Sequence, residues 1–120
     1  MESFDILKIA ANVLNEKKAM EMAAIKIRDV SDIADYFLIC TATSNTHIRA
    51  LADEVEEKLK AEGVMPDHIE GKTSEWLLLD YGTLVIHIFG KKAREFYSLD
   101  HMWQDGEQVD LTEFLDSEME

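Results

Sequence analysis

The sequence predicts a small α/β domain in which helices pack against a mixed β-sheet, and two observations carry this prediction. In the run Glu75–Gly90, two apolar segments rich in β-branched and aromatic residues flank Asp80-Tyr81-Gly82, a pattern typical of a β-hairpin. The stretch Tyr36–Glu70 has the pattern of a strand, a helix and a second strand. That order predicts a parallel pair joined by a right-handed crossover, whereas strands linked by short turns should run antiparallel.

Composition and charge narrow the classes of function. The chain has 120 residues, 47% of them hydrophobic, which suffices for one domain with its own core. Its formal net charge is −13, so bare phosphate backbones should repel it, while basic protein partners should attract it by electrostatic steering. Its apolar runs are too short to span a membrane and its N-terminus lacks a signal pattern, so we expect a cytoplasmic protein or the mature form of an organellar equivalent.

The first quarter of the chain predicts a helix followed by a strand. Apolar residues recur at helical spacing over residues 4–14, and Ser3 is positioned to cap that helix. Residues 23–30 alternate between apolar and charged side chains. This pattern predicts a half-exposed strand with Ile25 and Ile27 facing inward.

A buried strand and a second helix follow. Tyr36–Cys40 is apolar on both faces, as expected of a central strand; Cys40 is either a small buried hydrophobe or a reactive thiol, and the lack of nearby basic residues favours the first. The turn Thr41–Asn45 precedes a helix over residues 46–62, which ends at Gly63. Such a turn can bind an anion through backbone N–H groups, or it can simply cap the helix. Because it has no glycine and no lysine, capping is favoured.

The C-terminal half predicts one more strand and helix besides the hairpin. Val64–Glu70 is expected to be a short strand, which Pro66 displaces to an edge of the sheet, and Lys91–Leu99 is expected to be helical. We assign residues 1–103 to a single domain and residues 104–120 to an acidic tail with seven acids and no bases. Few apolar residues lie in this tail, so we expect it to be loose and its removal to leave the fold intact.

The hairpin provides the candidate partner-binding surface. If Tyr81 and Gly82 form a two-residue loop, Trp76 pairs with His87, and the residues of each strand alternate between two faces. One face is aliphatic and should meet the core: Leu77, Leu79, Leu84, Ile86 and Ile88. The other combines an aromatic ring, a carboxylate and an imidazole, which suits docking better than a core. The candidate partner-binding residues on and around it are His68, Glu70, Trp76, Leu78, Asp80, Tyr81, Val85 and His87.

Patterns for metal binding or catalysis are weak in this sequence. The four histidines are dispersed and have no partners at metal-ligand spacing, so neither a metal nor another cofactor is expected. His87 could act as a general base with Asp80, or it could be an exposed interface or packing histidine. No nucleophile is evident near the pair, which favours the second interpretation.

Several segments, in order and spacing, resemble the ribosomal silencing factors, also called Iojap-like proteins. The resemblance covers about residues 5–103, with three departures: Ala42 replaces a usual glycine, Thr83 a common aspartate, and residues 100–103 the usual Leu-Glu-x-Leu-Trp ending. The matching segments are Asp35–Cys40, Thr43–His47, Glu70-Gly71, Glu75-Trp76, Leu79–Gly82, Val85–Phe89, Arg94–Asp100 and Met102-Trp103.

This resemblance implies a non-enzymatic translation repressor, a dimer-capable α/β domain of nucleotidyltransferase-like topology. It also implies binding to the large ribosomal subunit at its fourteenth ribosomal protein, which would block joining of the small subunit when nutrients are short. The acidic composition independently favours a basic protein partner over RNA. The alternative is a nucleotidyltransferase using Asp80 and the Thr41–Ser44 turn. That chemistry needs two or more carboxylates to hold Mg²⁺, and Asp80 stands alone on its strand face.

Overall fold

A computed structural model describes residues 2–27, 34–71, 75–93 and 107–113 of the chain. It confirms the predicted α/β class, with helices packed on a mixed sheet. A further helix begins at residue 91, and the rest of the helix predicted over Lys91–Leu99 lies outside the described residues. The elements are α1 (Ser3–Glu16), β1 (Met20–Lys26), β2 (Tyr36–Ala42), α2 (Asn45–Ala61), β3 (His68–Glu70), β4 (Trp76–Asp80), β5 (Leu84–Gly90), β6 (Glu107–Val109) and a 3₁₀ turn (Leu111–Glu113).

The strand order is β3-β4-β5-β2-β1-β6, and among the described strands only β2 and β5 form a parallel pair. The prediction that the crossover helix joins two adjacent parallel strands is therefore wrong. β3 runs in the same direction as β2, but β5 and β4 lie between them. The physical reason lies in burial. All seven residues of β5 are buried, which suits a central position, whereas the short β3 follows Pro66 and stays at the edge, as predicted.

The predicted register of the hairpin is wrong by two residues. Trp76 pairs with Phe89 instead of His87, because the loop is longer than two residues. Asp80 Oδ1 accepts a hydrogen bond from the Gly82 backbone N–H at 2.8 Å, and Gly82 adopts the positive φ of +83° that a side chain would disfavour. Since a shift of two residues preserves alternation, the predicted division of side chains between the two faces is unaffected.

Each face of the sheet carries its own apolar cluster. α1 and α2 pack on one face, which includes the aliphatic residues predicted for the hairpin core, and the stripe of α2 is buried against them: Ile48, Leu51, Ala52, Val55 and Leu59. The opposite face holds a smaller cluster: Ile25, Ile27, Ala34, Phe37, Ile39, Val85, Phe89 and Ala93. Burial of β2 on both faces confirms its predicted central position, and the Cys40 thiol is buried within it, as its interpretation as a small hydrophobe requires.

The helix N-termini differ in how they are capped. Ser44 accepts a hydrogen bond from the His47 backbone N–H at 3.0 Å, which confirms the capping interpretation of this turn. The prediction that Ser3 caps α1 is wrong. That helix begins one residue earlier than expected, so Glu2 occupies the cap position without a side-chain bond and Ser3 lies buried in the first turn.

The C-termini of α1 and α2 end in the same hydrogen-bond pattern with different residues. After α2, Gly63 has a φ of +82°, and the N–H groups of residues 63 and 64 bond back to Lys60 and Leu59. After α1, Lys18 takes the equivalent place with a φ of +70°. A lysine therefore occupies a left-handed backbone position for which glycine is better suited.

The acidic tail is partly built into the sheet. β6 pairs antiparallel with β1, with Val109 opposite Ala24, and Val109 and Leu111 pack against the helix-side core. The expectation of a loose tail is therefore wrong for residues 107–113, while residues 104–106 and 114–120 lie outside the described part. The edge of β1 explains the difference, because its backbone N–H and C=O groups offer a hydrogen-bonding template to any extended segment within reach.

Candidate partner-binding surface

Seven of the eight predicted partner-binding residues share one face of the sheet. Directly opposed residues of antiparallel strands lie on the same face, and His68 opposes Asp80 while Glu70 opposes Leu78. Across the next pair of strands, Leu78 opposes His87 and Asp80 opposes Val85. We call the face opposite α1 and α2 the docking face; its predicted members are His68, Glu70, Trp76, Leu78, Asp80, Val85 and His87.

Tyr81 is the exception, because it packs into the helix-side core. Its side chain is 7% exposed, and its hydroxyl oxygen is buried with no hydrogen-bond partner among the described residues. Burial, and to a lesser extent the negative charge of Glu56, raises the pKa of Tyr81 to about 12. The hydroxyl therefore stays protonated at neutral pH, and the residue does not belong to the docking face.

Exposure on the docking face decreases from the sheet edge toward its centre. The β3 residues His68 and Glu70 are exposed, whereas Val85 and His87 on β5 are each 5% exposed. His87 is thus a packing histidine, and the suggestion that it is exposed is wrong. Between these extremes, β4 contributes half-buried side chains. We call the part of the docking face that a partner can reach the accessible strip: His68, Glu70, Trp76, Leu78 and Asp80.

The two segments that carry the accessible strip are acidic, whereas bases flank them: Lys72 lies between them in sequence, and Lys91 and Lys92 follow β5 and share a pocket with Glu75. Residues 64–71 and 75–90 include four acids, Asp67, Glu70, Glu75 and Asp80, and neither a lysine nor an arginine. The strip thus combines an aromatic and an aliphatic side chain with an acidic border, which complements a basic protein surface and disfavours a phosphate backbone.

Trp76 is held in place by residues beneath it. Its indole Nε1 donates a hydrogen bond to His87 Nδ1 at 3.1 Å, and its ring stacks on Phe89 with centroids 5.1 Å apart. Burial lowers the pKa of His87 to about 4, so the imidazole is neutral at pH 7 and Nδ1 can accept this bond. Phe89 was missed as a contributor, although its place in the alternation after Val85 and His87 puts it on this face.

The two groups considered for catalysis make contacts within the fold. Asp80 holds the hairpin turn through Gly82, and the imidazole of His87 is engaged by Trp76. Nothing in these contacts links Asp80 and His87 as an acid–base pair. Within the described ranges, no three His, Cys, Asp or Glu side chains are arranged to hold a metal ion.

The Thr41–Ser44 turn borders a pocket of about 260 Å³ that also contacts Glu75, Lys91 and Lys92. Hydrogen bonds inside the turn occupy two of its polar groups. The Thr43 N–H donates to His47 Nδ1 at 3.0 Å, and the Ser44 hydroxyl caps α2. His47 Nε2 in turn lies 2.9 Å from the carbonyl oxygen of Lys17, so this histidine bridges the turn and the end of α1, a contact the sequence did not indicate.

In the described part of the chain, no helix combines the length and the apolar character needed to cross a bilayer. The family model "Ribosomal silencing factor during starvation" matches residues 1–120. A curated Bacillus subtilis protein, "Ribosomal silencing factor RsfS", is 36% identical over 112 residues, which cover 92% of this chain and 95% of that protein. "Protein Iojap-related, mitochondrial" of Arabidopsis thaliana is 30% identical over 96 residues, covering 76% of this chain and 52% of that protein.

Two crystal structures share the fold. A Chromobacterium violaceum protein superposes with a TM-score of 0.83 at 31% identity, covering 86% of this chain and 87% of that one. A Bacillus halodurans protein gives a TM-score of 0.79 at 30% identity, covering 90% and 99% respectively. Both similarities extend over most of each chain, as does that of the Bacillus subtilis relative.

Proposed function

Since this chain belongs to the ribosomal silencing factor family, we propose that it represses translation by binding the large ribosomal subunit. The bound protein blocks joining of the small subunit by steric exclusion, and it does so in the cytoplasm when nutrients are limited. It forms no covalent bond and needs no cofactor. The single observation that supports this mode of action is the accessible strip, where a half-buried tryptophan stands within an acidic border.

The partner is a basic protein of the large subunit, its fourteenth ribosomal protein, with little direct contact to RNA. Trp76 supplies the anchor, since tryptophans at the centre of an interface contribute a large share of its binding energy. Glu70 at the exposed edge supplies the complementary charge. The overall charge of −13 points the same way, because ribosomal RNA repels such a chain wherever it is not screened.

The enzymatic alternative is disfavoured by what surrounds Asp80. Its directly opposed neighbours are His68 on β3 and Val85 on β5, neither of them a carboxylate. Asp67 is a nearby acid, since its backbone N–H donates to the Asp80 carbonyl oxygen at 2.7 Å, but among the described residues the two acids join no third side chain that could help hold a metal ion. A nucleotidyltransferase needs at least two carboxylates on one metal, and Asp80 already accepts a hydrogen bond from the hairpin turn. Binding without catalysis therefore accounts for more of the observed contacts.

A sedimentation experiment with purified large ribosomal subunits tests the proposal. The wild-type protein should co-migrate with large subunits and reduce the yield of joined ribosomes when small subunits are added. Trp76→Ala should lower affinity by about 2 kcal/mol, or roughly thirtyfold, as expected of an aromatic anchor. Phe4→Ala is the matched control, because Phe4 is a 40% exposed aromatic residue on α1, behind the sheet. Equal affinities of the two variants would contradict the assignment of the surface.

A charge reversal tests the acidic border separately. Glu70→Lys should slow association with large subunits several-fold at low salt, because it places like charge against a basic partner. Glu57→Lys on α2 makes the same charge change on an exposed residue behind the sheet and should slow association less. Glu70 is preferred to Asp80 here because Asp80 holds the hairpin turn. If both reversals changed the rate equally, only net charge and not the docking face would matter.

A further inference from the structure

The orientation of Trp76 is specified at two points. Its indole N–H donates to His87 Nδ1 at 3.1 Å, and its ring stacks at 25° to the ring of Phe89. A half-exposed side chain held by one contact can still rotate about its χ angles, whereas a ring stack and a directed hydrogen bond together select one rotamer. The indole is therefore ordered before any partner arrives.

His87 is itself fixed by its surroundings. It is 5% exposed, packs against Phe37 with centroids 5.0 Å apart at 77°, and lies parallel to Phe89 at 6.1 Å. Because neighbouring rings enclose it, the imidazole cannot rotate away without disturbing the small apolar cluster on this face. A fixed acceptor is what a directed hydrogen bond to the indole requires.

The second ring nitrogen shows that the histidine is not there for stability alone. With Nδ1 accepting from Trp76, the proton of the neutral ring resides on Nε2. That atom is buried and finds no hydrogen-bond partner in the part of the chain that the structure describes. An unsatisfied buried donor destabilises a fold, and an aliphatic side chain at this position would avoid it. The imidazole therefore destabilises the fold relative to an aliphatic side chain. What it provides in return is Nδ1, the acceptor for the indole N–H of Trp76.

We infer that His87 is a positioning residue, which does not touch the partner but holds the indole of Trp76 in the orientation that the ribosomal protein binds. This inference rests on the proposed function of the docking face. Its physical advantage is preorganisation: a side chain already ordered in the free protein loses less conformational freedom on binding, so more of its contact energy appears as affinity.

Two substitutions of nearly equal size separate positioning from packing. In His87→Asn, the amide oxygen occupies roughly the place of Nδ1 and can accept the indole N–H, whereas His87→Leu offers no acceptor. Affinity for purified large subunits should fall about tenfold in His87→Leu, the value of one hydrogen bond of ordinary strength, and should fall less in His87→Asn. Circular dichroism and urea unfolding should show that both variants are folded.

Hydrogen exchange of the indole N–H reports the position of Trp76 directly. The chain has two tryptophans and so gives two indole resonances, and the signal that disappears in Trp76→Phe identifies Trp76. This N–H should exchange slowly in the wild type and in His87→Asn, and faster in His87→Leu. In the Trp76→Phe background, which has no indole donor, His87→Leu should cause no further loss of affinity.

The outcomes distinguish this inference from the proposed function. If Trp76→Ala weakens binding but His87→Leu binds as the wild type does, the positioning role is refuted while the surface stands. If His87→Asn binds as poorly as His87→Leu although its indole N–H is protected, the imidazole matters in some other way, and the inference is again refuted. If Trp76→Ala leaves binding unchanged, the proposed surface itself is refuted.

Discussion

Lowering the pH from 7 to 5 should destabilise the wild-type protein relative to His87→Leu. Burial of the imidazole lowers the pKa of His87 from its ordinary 6.5 to about 4, so between these values the unfolded chain binds more protons than the folded one. The free energy of unfolding is therefore unaffected by His87 protonation above pH 6.5, and it decreases as the pH falls from 6.5 toward 4. At 1.36 kcal/mol per pKa unit the full loss is about 3 kcal/mol, of which about 2 kcal/mol falls between pH 7 and 5.

The comparison of two proteins is needed because many other groups titrate in this range. The 25 acids and the remaining three histidines are present in both the wild type and His87→Leu, so their effects largely cancel in the difference. Urea unfolding at pH 7, 6 and 5 gives the unfolding free energy of each protein, and the difference between them should change by about 2 kcal/mol in favour of the variant. If the difference between the two unfolding free energies did not change with pH, His87 would be protonated as readily in the folded protein as in the unfolded chain. That result would refute the lowered pKa of the buried imidazole.

Two further predictions concern stability. Lys18→Gly should raise the unfolding free energy by up to about 1 kcal/mol, because it removes a lysine from a left-handed backbone conformation. Gly63→Ala, at the equivalent place after α2, should lower the unfolding free energy by a similar amount. Urea titrations that rank the two variants the other way would contradict the assignment of these residues as helix caps. A chain ending at residue 106 should be about 1–2 kcal/mol less stable than a chain ending at residue 113, because Val109 and Leu111 are removed from the core. Unfolding of the shorter chain at the melting temperature of the longer one would show that β6 adds nothing. β6 lies five strand spacings of about 4.8 Å from β3, beyond the Debye length of about 8 Å, so the two truncated chains should associate with large subunits at the same rate.

Local patterns in the sequence determined the faces of the elements. Alternation along β4 and β5 placed Trp76 and His87 on the sheet face opposite to that of the aliphatic core residues. The register error of two residues did not change this division, because a shift by an even number of residues leaves each side chain on the same face. Helical spacing likewise identified the buried stripe of α2, and Gly63 marked its end. Each of these features depends on residues within about a dozen positions of one another, where the periodicity of the chain is decisive.

Only the tertiary structure decided which strands are neighbours and how deeply each face is buried. β5 lies beside β2 because two strands apolar on both faces belong in the middle of a sheet, and β6 takes the edge that β1 leaves open. His87 and Tyr81 look equally exposed in the sequence, yet one is enclosed by aromatic rings and the other lies in the helix-side core. Burial of a side chain depends on elements far away in the chain that cover it, and strand alternation specifies only the direction in which it points.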